Sequence, residues 1–344
     1  MIVLIDNNLR ENLFPFTYTR HTANIRIGIF TIKEKWELLL NEKVSFDETK
    51  DGLHIPSNII PTKSNYKSII AAANENLLLI ESHEIKIIKY PWQIFQYNDY
   101  ALRHDIELIE KNKNSYNFND SNTYINKQDV FVESGAKINN CILNASTGPI
   151  FIDANTEIME GSMIRGPFYL GKNSVVKMGT KIYGATTIGP NCVVGGEIKN
   201  SILFGNSNKA HDGYLGDSVI GEWCNIGAGT SNSNVKNTGG DVAYNLPKNE
   251  FKINAGNKAG LLMGDYSRAA INTSFNTGTI VGVCCNIFGN EMPKRLVKNF
   301  TWGTEKYLFE KVICDINNWK KMKEQSITLD ETELLNRLWE ESNL

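Results

Sequence analysis

The chain has 344 residues, of which 41% are hydrophobic and 22% charged, and its formal net charge is −2. That is enough for two domains with packed cores and excludes global disorder; with no basic surplus, neither nucleic acid nor an anionic membrane is a default partner. Its six cysteines, Cys141, Cys192, Cys224, Cys284, Cys285 and Cys314, form no C-x-x-C pair, which argues against a zinc or redox motif.

The opening "MIVLI" reads as a buried strand, with no basic leader before it and Asp6 directly after it. No apolar run reaches membrane-spanning length, so a cytoplasmic protein is expected. "IFTIKEKWELLL" (Ile29 to Leu40) has the pattern of an amphipathic helix, "NLLLI" (Asn76 to Ile80) that of a strand. "DYALRHDIELIEKNK" places Leu102, Ile106 and Ile109 on one helical face. Residues 1–110 are therefore expected to form a small α/β unit. The polar, Asn-rich stretch from Lys111 to Tyr124 marks a linker over 111–129.

From 130 to 292 the texture changes. Every sixth residue from Ile152 is aliphatic: Ile152, Ile158, Ile164, Leu170, Val176, Ile182, Ile188, Val194. Ile220 and Ile226 keep the same spacing, and a second register runs through Met263, Ala269, Phe275, Val281 and Ile287. A period of six suits neither an α-helix nor a strand with one wet face. It suits a short strand plus a corner, repeated, with three units to a triangular coil of a parallel β-helix. A sandwich with regular turns would not hold phase for so long. The phase breaks at Lys199 to Gly213 and again from Asn232 to about Lys258, where loops ejected from the column are expected. Over 293–344 helical patterning returns, with Thr328 as an N-cap and Glu331 as its capping-box partner.

Between the two breaks lies "NKAHDGYLGDSVIGEWCNIGAGTSNSN" (Asn208 to Asn234). A lone histidine is more often structural than chemical. His211, however, sits among Lys199, Lys209, Tyr214, Asn225 and Asn234, all close to it in coil terms. A neutral imidazole can take a proton from an attacking amine or hydroxyl. Lysines hold phosphate as point charges, Tyr and Asn fix a hydroxylated ring, and backbone N–H groups of the "GAGT" corner (Gly227 to Thr230) can receive a carbonyl. This set fits acyl transfer from a thioester to a sugar phosphate. It needs no Ser or Cys nucleophile, and no G-x-S-x-G elbow is present.

The stretch from Glu197 to Asn234 resembles the left-handed β-helix acyltransferases. It is most similar to the acetyltransferase half of the family of bifunctional N-acetylglucosamine-1-phosphate uridylyltransferases/glucosamine-1-phosphate acetyltransferases. The resemblance implies a left-handed parallel β-helix of hexapeptide repeats, a homotrimer with sites between columns, and acetyl-CoA or another acyl-CoA as co-substrate. It also implies roles: His211 as general base; Lys181, Glu197, Lys199, Tyr214, Asn225 and Asn234 around the sugar phosphate; Ala228 beside the acyl-CoA thiol. Lys181 stands where the family has Arg, and Val235 where it has Tyr.

"LRENLFPFTYTRHTANIRIG" (Leu9 to Gly28) is similar to the signature of sugar-phosphate nucleotidyltransferases, with Arg10, Pro15, Thr17 and Arg20 matching in kind and order. The resemblance implies that Arg10 contacts nucleotide. Asn7-Asn8 replace the Gly that lets backbone N–H groups wrap a triphosphate. Two readings stay open: a shortened active domain, taking a nucleoside triphosphate and Mg2+, or a degenerate scaffold. Metal ligands are unknown, with Asp6, Asp99 and Asp105 as the carboxylates at hand. For the whole chain, the alternatives to acyl transfer are a nucleotidyltransferase whose β-helix only trimerises or regulates, and a non-catalytic scaffold.

Overall fold

The computed structural model describes residues 1–6, 10–109, 119–247 and 249–342. Asn7-Asn8 and the Lys111 to Phe118 part of the expected linker lie outside the described residues.

The N-terminal unit is α/β. The strand Ile2–Ile5 pairs in parallel with Leu53–Pro56. The helix Ile32–Leu40 begins on a capping box: Glu34 N–H donates to Thr31 Oγ1 (3.1 Å) and Thr31 N–H to the Glu34 carboxylate (2.7 Å). Two sequence expectations fail here. "NLLLI" is not a strand: Leu77 N–H bonds back to Ala72 O to end the helix Tyr66–Asn74, and Leu78 and Ile80 run out 89% and 76% exposed. An apolar run without a neighbouring strand has no ladder to join, and here Ile59–Ile60 takes Lys86–Ile87 instead. The later helix is shorter than its pattern, covering Asn98–Asp105.

The rest of the chain winds into a parallel β-solenoid, consistent with left-handed coiling, and two helices follow it. It has three faces. The first carries Thr123–Ile125, Ile142–Asn144, Met163–Arg165, Lys181–Tyr183 and the starts of Glu197–Gly205 and Tyr214–Glu222. The second runs from Val130–Val132 through Ile150–Ile152, Phe168–Leu170 and Thr186–Ile188 to Leu296–Val297. The third is a 10-stranded sheet that starts at Lys137–Ile138. The hexad aliphatics point inward and are buried, forming one apolar column. The ladder begins at Thr123, inside the stretch expected as linker. The polar composition hid a rung there, because Asn122 closes the column's end by bonding Ile138 O (2.8 Å) and Cys141 N–H (2.9 Å).

The two phase breaks have different causes. Early coils pair residues eighteen apart, Ile150 with Phe168 and Phe168 with Thr186. At the first break the spacing falls to fifteen or sixteen, Thr187 with Ile202 and Lys181 with Glu197. No loop is ejected over Lys199 to Gly213. The coil is shortened, and one strand, Glu197–Gly205, runs across a corner with Asn200 at positive φ. The second break is a true excursion. It carries an antiparallel pair, Ala243–Tyr244 with Ile253–Asn254, and reaches the N-terminal unit, where Tyr244 stacks on Trp92 (5.1 Å) and Gln96 donates to Ala255 O (2.8 Å).

The corner between the second and third faces is held by residues at positive φ. Low on the column these are Asn155, Asn173, Asn191 and Asn206; higher up they are Trp223, Tyr266, Cys284 and Phe300. Asn tolerates that conformation, whereas a large side chain adopts it at a cost. The large ones pack with Val312, Ile316, Leu335 and Leu338 of the C-terminal helices Phe309–Lys321 and Leu329–Glu341. The second helix starts on the expected Thr328–Glu331 capping box. Cys285 points into the column and Cys284 under the helices. The outer side of the second face, including Ile202, Phe204, Val219, Leu262 and Ile280, is buried in one core with the N-terminal unit. The first face keeps an open outer side, with Ile142, Met163 and Tyr183 each exposed.

Candidate functional site

His211 lies in the corner that joins Asn208–Lys209 on the third face to Tyr214–Glu222, which starts on the first. The shortened coil makes this corner tight: Gly229 N–H donates to Asp212 O (3.0 Å) and Glu197 N–H to Gly213 O (3.1 Å). A Cβ on Gly196 would sit 2.9 Å from His211 O, so glycine is needed beneath it. The imidazole is exposed and has no hydrogen bond among the described residues. It stands on a ridge between two grooves. One, about 430 Å³, is lined by Lys177, Gly195, Gly196, Asp212, Ala228 and Gly229. The other, about 450 Å³, is lined by Asn208, Asn225, Ala228 and Ile271, and by Trp319 and Met322 from the tail.

Around the corner, the outer side of the first face carries two ladders. One stacks Lys181, Glu197 and Tyr214. The other stacks Tyr183, Lys199 and Gly216. Asn234 donates to the Tyr214 hydroxyl (3.1 Å). Burial first, and then the charges of Asp217 and Glu197, push the Tyr214 phenol up to about 12. At neutral pH it therefore keeps its proton and accepts from Asn234, leaving its own O–H to donate. Asp217 holds both Asn234 and Asn200, the latter at 2.7 Å. Sequence reasoning missed it as a site residue, although the Gly-Asp step after Tyr214 was the available signal.

The expected residues thus form two groups. Lys181, Glu197, Lys199, Tyr214 and Asn234 share the first face. His211 and Ala228 lie at its edge, and Asn225 is on the third face, where it lines a groove with both. In the "GAGT" corner three N–H groups are already used: Gly227 to Ala269 O, Gly229 to Asp212 O and Thr230 to Gly227 O. The Ala228 N–H is left without a partner among the described residues. The coil between Lys181 and Glu197 is sixteen residues, so Lys181 stacks on Glu197 and Tyr183, not Lys181, lies behind Lys199. Continued one residue, the Met163–Lys181 register brings Arg165 behind Tyr183. Arg165, Lys181 and Tyr183 then share a groove of about 270 Å³ with Ile142 and Met163. A guanidinium is therefore present on this face, supplied by a different coil.

Of the signature residues of the N-terminal unit, Pro15 and Thr17 are buried and Arg20 faces the column, while Arg10 is exposed but bonded within the unit. Arg10 pairs with Asp6 (3.0 Å) and donates to Thr17 O (2.6 Å), while Thr17 returns a bond to Arg10 O (2.8 Å). Asp6 also accepts from Ser57 (2.9 Å) and Thr22 N–H (3.1 Å), with His21 at 3.4 Å. Thr19 and Arg20 both bond Asp265 of the column, Glu222 lies 3.8 Å from Arg20, and the guanidinium covers the Phe204 ring at 4.8 Å. Asp105 is buried against Lys35 and accepts from Ile29 N–H (2.8 Å); Asp99 pairs with Arg103 (2.8 Å). Among the described residues no group of three or more His, Cys, Asp or Glu could hold a metal ion, and no helix is long and apolar enough to cross a membrane.

Comparison with known proteins adds to this geometry. Residues 2–50 match the family model described as "Sugar nucleotidyl transferase". The chain is 31% identical over 118 residues to a "Bifunctional protein GlmU" of Methanocaldococcus jannaschii, a match covering 34% of this chain and 28% of that one. It is 29% identical over 230 residues to a "Bifunctional sugar-1-phosphate nucleotidylyltransferase/acetyltransferase" of Sulfurisphaera tokodaii, covering 63% and 50%. The chain spans half or less of the length of these relatives. A solved structure titled as a hexapeptide transferase family protein from Anaplasma phagocytophilum aligns over 62% of this chain and 95% of that one, at 12% identity and a TM-score of 0.19, too loosely to argue from. Both relatives are named as bifunctional, and the name of the second joins the two activities that Leu9 to Gly28 and Glu197 to Asn234 resemble.

Proposed function

We propose that the chain is an acyltransferase that moves an acyl group, acetyl in the simplest case, from an acyl-CoA to the amine of a hexosamine 1-phosphate. The observation that carries this reading is an unpaired imidazole on a ridge between two grooves, one glycine-lined and one walled by Asn225 and Trp319. His211 takes the amine proton as nitrogen attacks the thioester carbonyl. The N–C bond forms, the C–S bond breaks, and the proton passes to the departing thiolate. The Ala228 N–H is free to meet the carbonyl oxygen as charge develops there. Tyr214, held by Asn234, which Asp217 anchors in turn, offers its O–H to the sugar. Lys199 and Lys181 supply positive charge for the phosphate, with Arg165 on the same face. The name of the Sulfurisphaera tokodaii relative, which includes a sugar 1-phosphate and an acetyltransferase, supports the substrate class. The open first face, with Ile142, Met163 and Tyr183 exposed, supports a homotrimer in which neighbouring columns complete the site.

The test is release of free CoA from acetyl-CoA and glucosamine 1-phosphate. His211→Ala is expected to slow it by ~10² or more, as loss of a general base does. Equal release by the variant removes the base assignment.

We read the N-terminal unit as a docked scaffold rather than a second active site. Asp6 is already bonded by Arg10, Ser57 and Thr22 N–H, and Arg20 and Thr19 are spent on Asp265, so these residues do not fit a Mg2+–nucleotide site. With Mg2+, UTP or dTTP, and sugar 1-phosphates, no pyrophosphate is expected. Pyrophosphate from any pair overturns this reading.

A further inference from the structure

Along the third face the inward positions form a single ladder. It runs Ile138, Ile158, Val176, Val194, Lys209, Ile226, Ala269, Ile287. Every member is buried, and one is a lysine. Burying an ammonium among aliphatic side chains is expensive unless it is fully bonded. No carboxylate forms an ion pair with Lys209 among the described residues; Asp212, in the same corner as His211, is the acidic group whose charge reaches it. What Lys209 Nζ bonds is backbone: Gly195 O in the corner below (3.3 Å) and His211 O in its own.

That second bond answers a need created by the shortened coil. Carbonyls of the solenoid are ordinarily met by an N–H from an adjacent coil, as Glu160 O is by Gly179 N–H. His211 O is met by no backbone N–H among the described residues, and Lys209 is its donor. The ammonium thus ties the peptide that carries the imidazole to the corner beneath it. Valine or isoleucine, which occupy the rungs on either side, would fill the column more cheaply but could make neither bond.

We propose that Lys209 is a positioning residue: from inside the column it fixes the His211 peptide, and with it the direction in which the imidazole points. This rests on the reading of His211 as the base. It assigns a role in the reaction to a side chain that has no access to the grooves.

Lys209→Met, His211→Ala and the double variant test it in full-length protein, with CoA release, thermal unfolding and the 1H–13C NMR signals of His211, assigned by their loss in His211→Ala. Methionine fills the same space without a donor: loss of the buried charge is stabilising and loss of its bonds to two carbonyls destabilising, so the two effects offset each other. For Lys209→Met we expect kcat to fall about 10-fold with KM within about 2-fold, since small misplacements of a catalytic group are costly. The melting temperature should change little, the His211 signals should be displaced, and the double variant should be no slower than His211→Ala alone. Unchanged kcat, a double variant slower by the full product of the two single losses, or failure to fold, which would mean that the ammonium holds the coil itself, each overturns the proposal. Should His211→Ala leave the rate intact, the base reading fails on its own account. The NMR signals then decide the positioning: displaced in Lys209→Met they uphold it, unmoved they end it.

Discussion

At the residue scale, part of the site is held by groups that do not touch substrate in the proposed reaction. Lys209 and Asp217 hold the main chain and the amides that hold the reacting groups. Burial pulls the Lys209 ammonium down to about 8, with Asp212 opposing the shift. The signs of its pH effects on activity and stability are opposite. Below pH 8 the ammonium is charged and the His211 corner is tied; above it the bond to His211 O weakens, so CoA release should decline on the alkaline side. The folded pKa lies below the ordinary 10.5, so between about 8 and 10.5 the unfolded chain binds more protons, and this group makes the folded state more stable as pH rises. Lys209→Met should abolish both trends, read as a rate profile and as melting temperatures across that range. Asp217→Asn removes the carboxylate that accepts from Asn200 and Asn234; a rise in KM for the sugar phosphate is expected, with little change in KM for acetyl-CoA, as checked by initial rates. Of this layer the sequence showed His211, Tyr214 and the asparagines, because their types announce chemistry. It did not show Lys209 as an inward residue, because composition cannot say which way a side chain points once the hexad phase has slipped.

At the element scale, the hexad rhythm made the coils readable, and its failures were readable only as failures. A break in a period has two causes, added residues or missing ones, and both look alike until the partners on either side are known. Over Lys199 to Gly213 residues are missing; over Asn232 to Lys258 they are added. The same shortening puts Lys181 behind Glu197 rather than behind Lys199, with Arg165 in line behind Tyr183. "NLLLI" failed differently: periodicity cannot separate a buried strand from an exposed run when nothing lies beside it. Helix starts fared better, since a capping box is a local device whose partners are three residues apart. Thr328→Ala removes the hydroxyl that accepts from Glu331 N–H and should cost about 1 kcal/mol, measured by urea unfolding.

At the scale of the whole molecule, the column is clad on one face by the N-terminal unit and on an adjoining corner by the tail, and the face with the proposed sugar-phosphate ladders is left open. Arg20 and Asp265 join the first two of these bodies, both side chains largely buried. Asp265→Ala would strand the guanidinium beside Glu222 and is expected to cost about 3–5 kcal/mol, seen as a lower unfolding midpoint. Family resemblance made the two-part plan legible, but not that the signature of the first part had become its attachment to the second; that depends on contacts between residues some 240 positions apart in the chain, Arg20 and Asp265. The positive-φ corner carries a related message. Asparagine takes that backbone with little strain, whereas Trp223, Tyr266 and Phe300 endure it to present greasy surface outward. A chain trimmed after Trp302 would leave those rings bare, so truncation should yield sticky, insoluble protein rather than a leaner enzyme. In any related solenoid, the level at which amides give way to aromatics along this edge should mark, in the bare sequence, where the tail comes to rest.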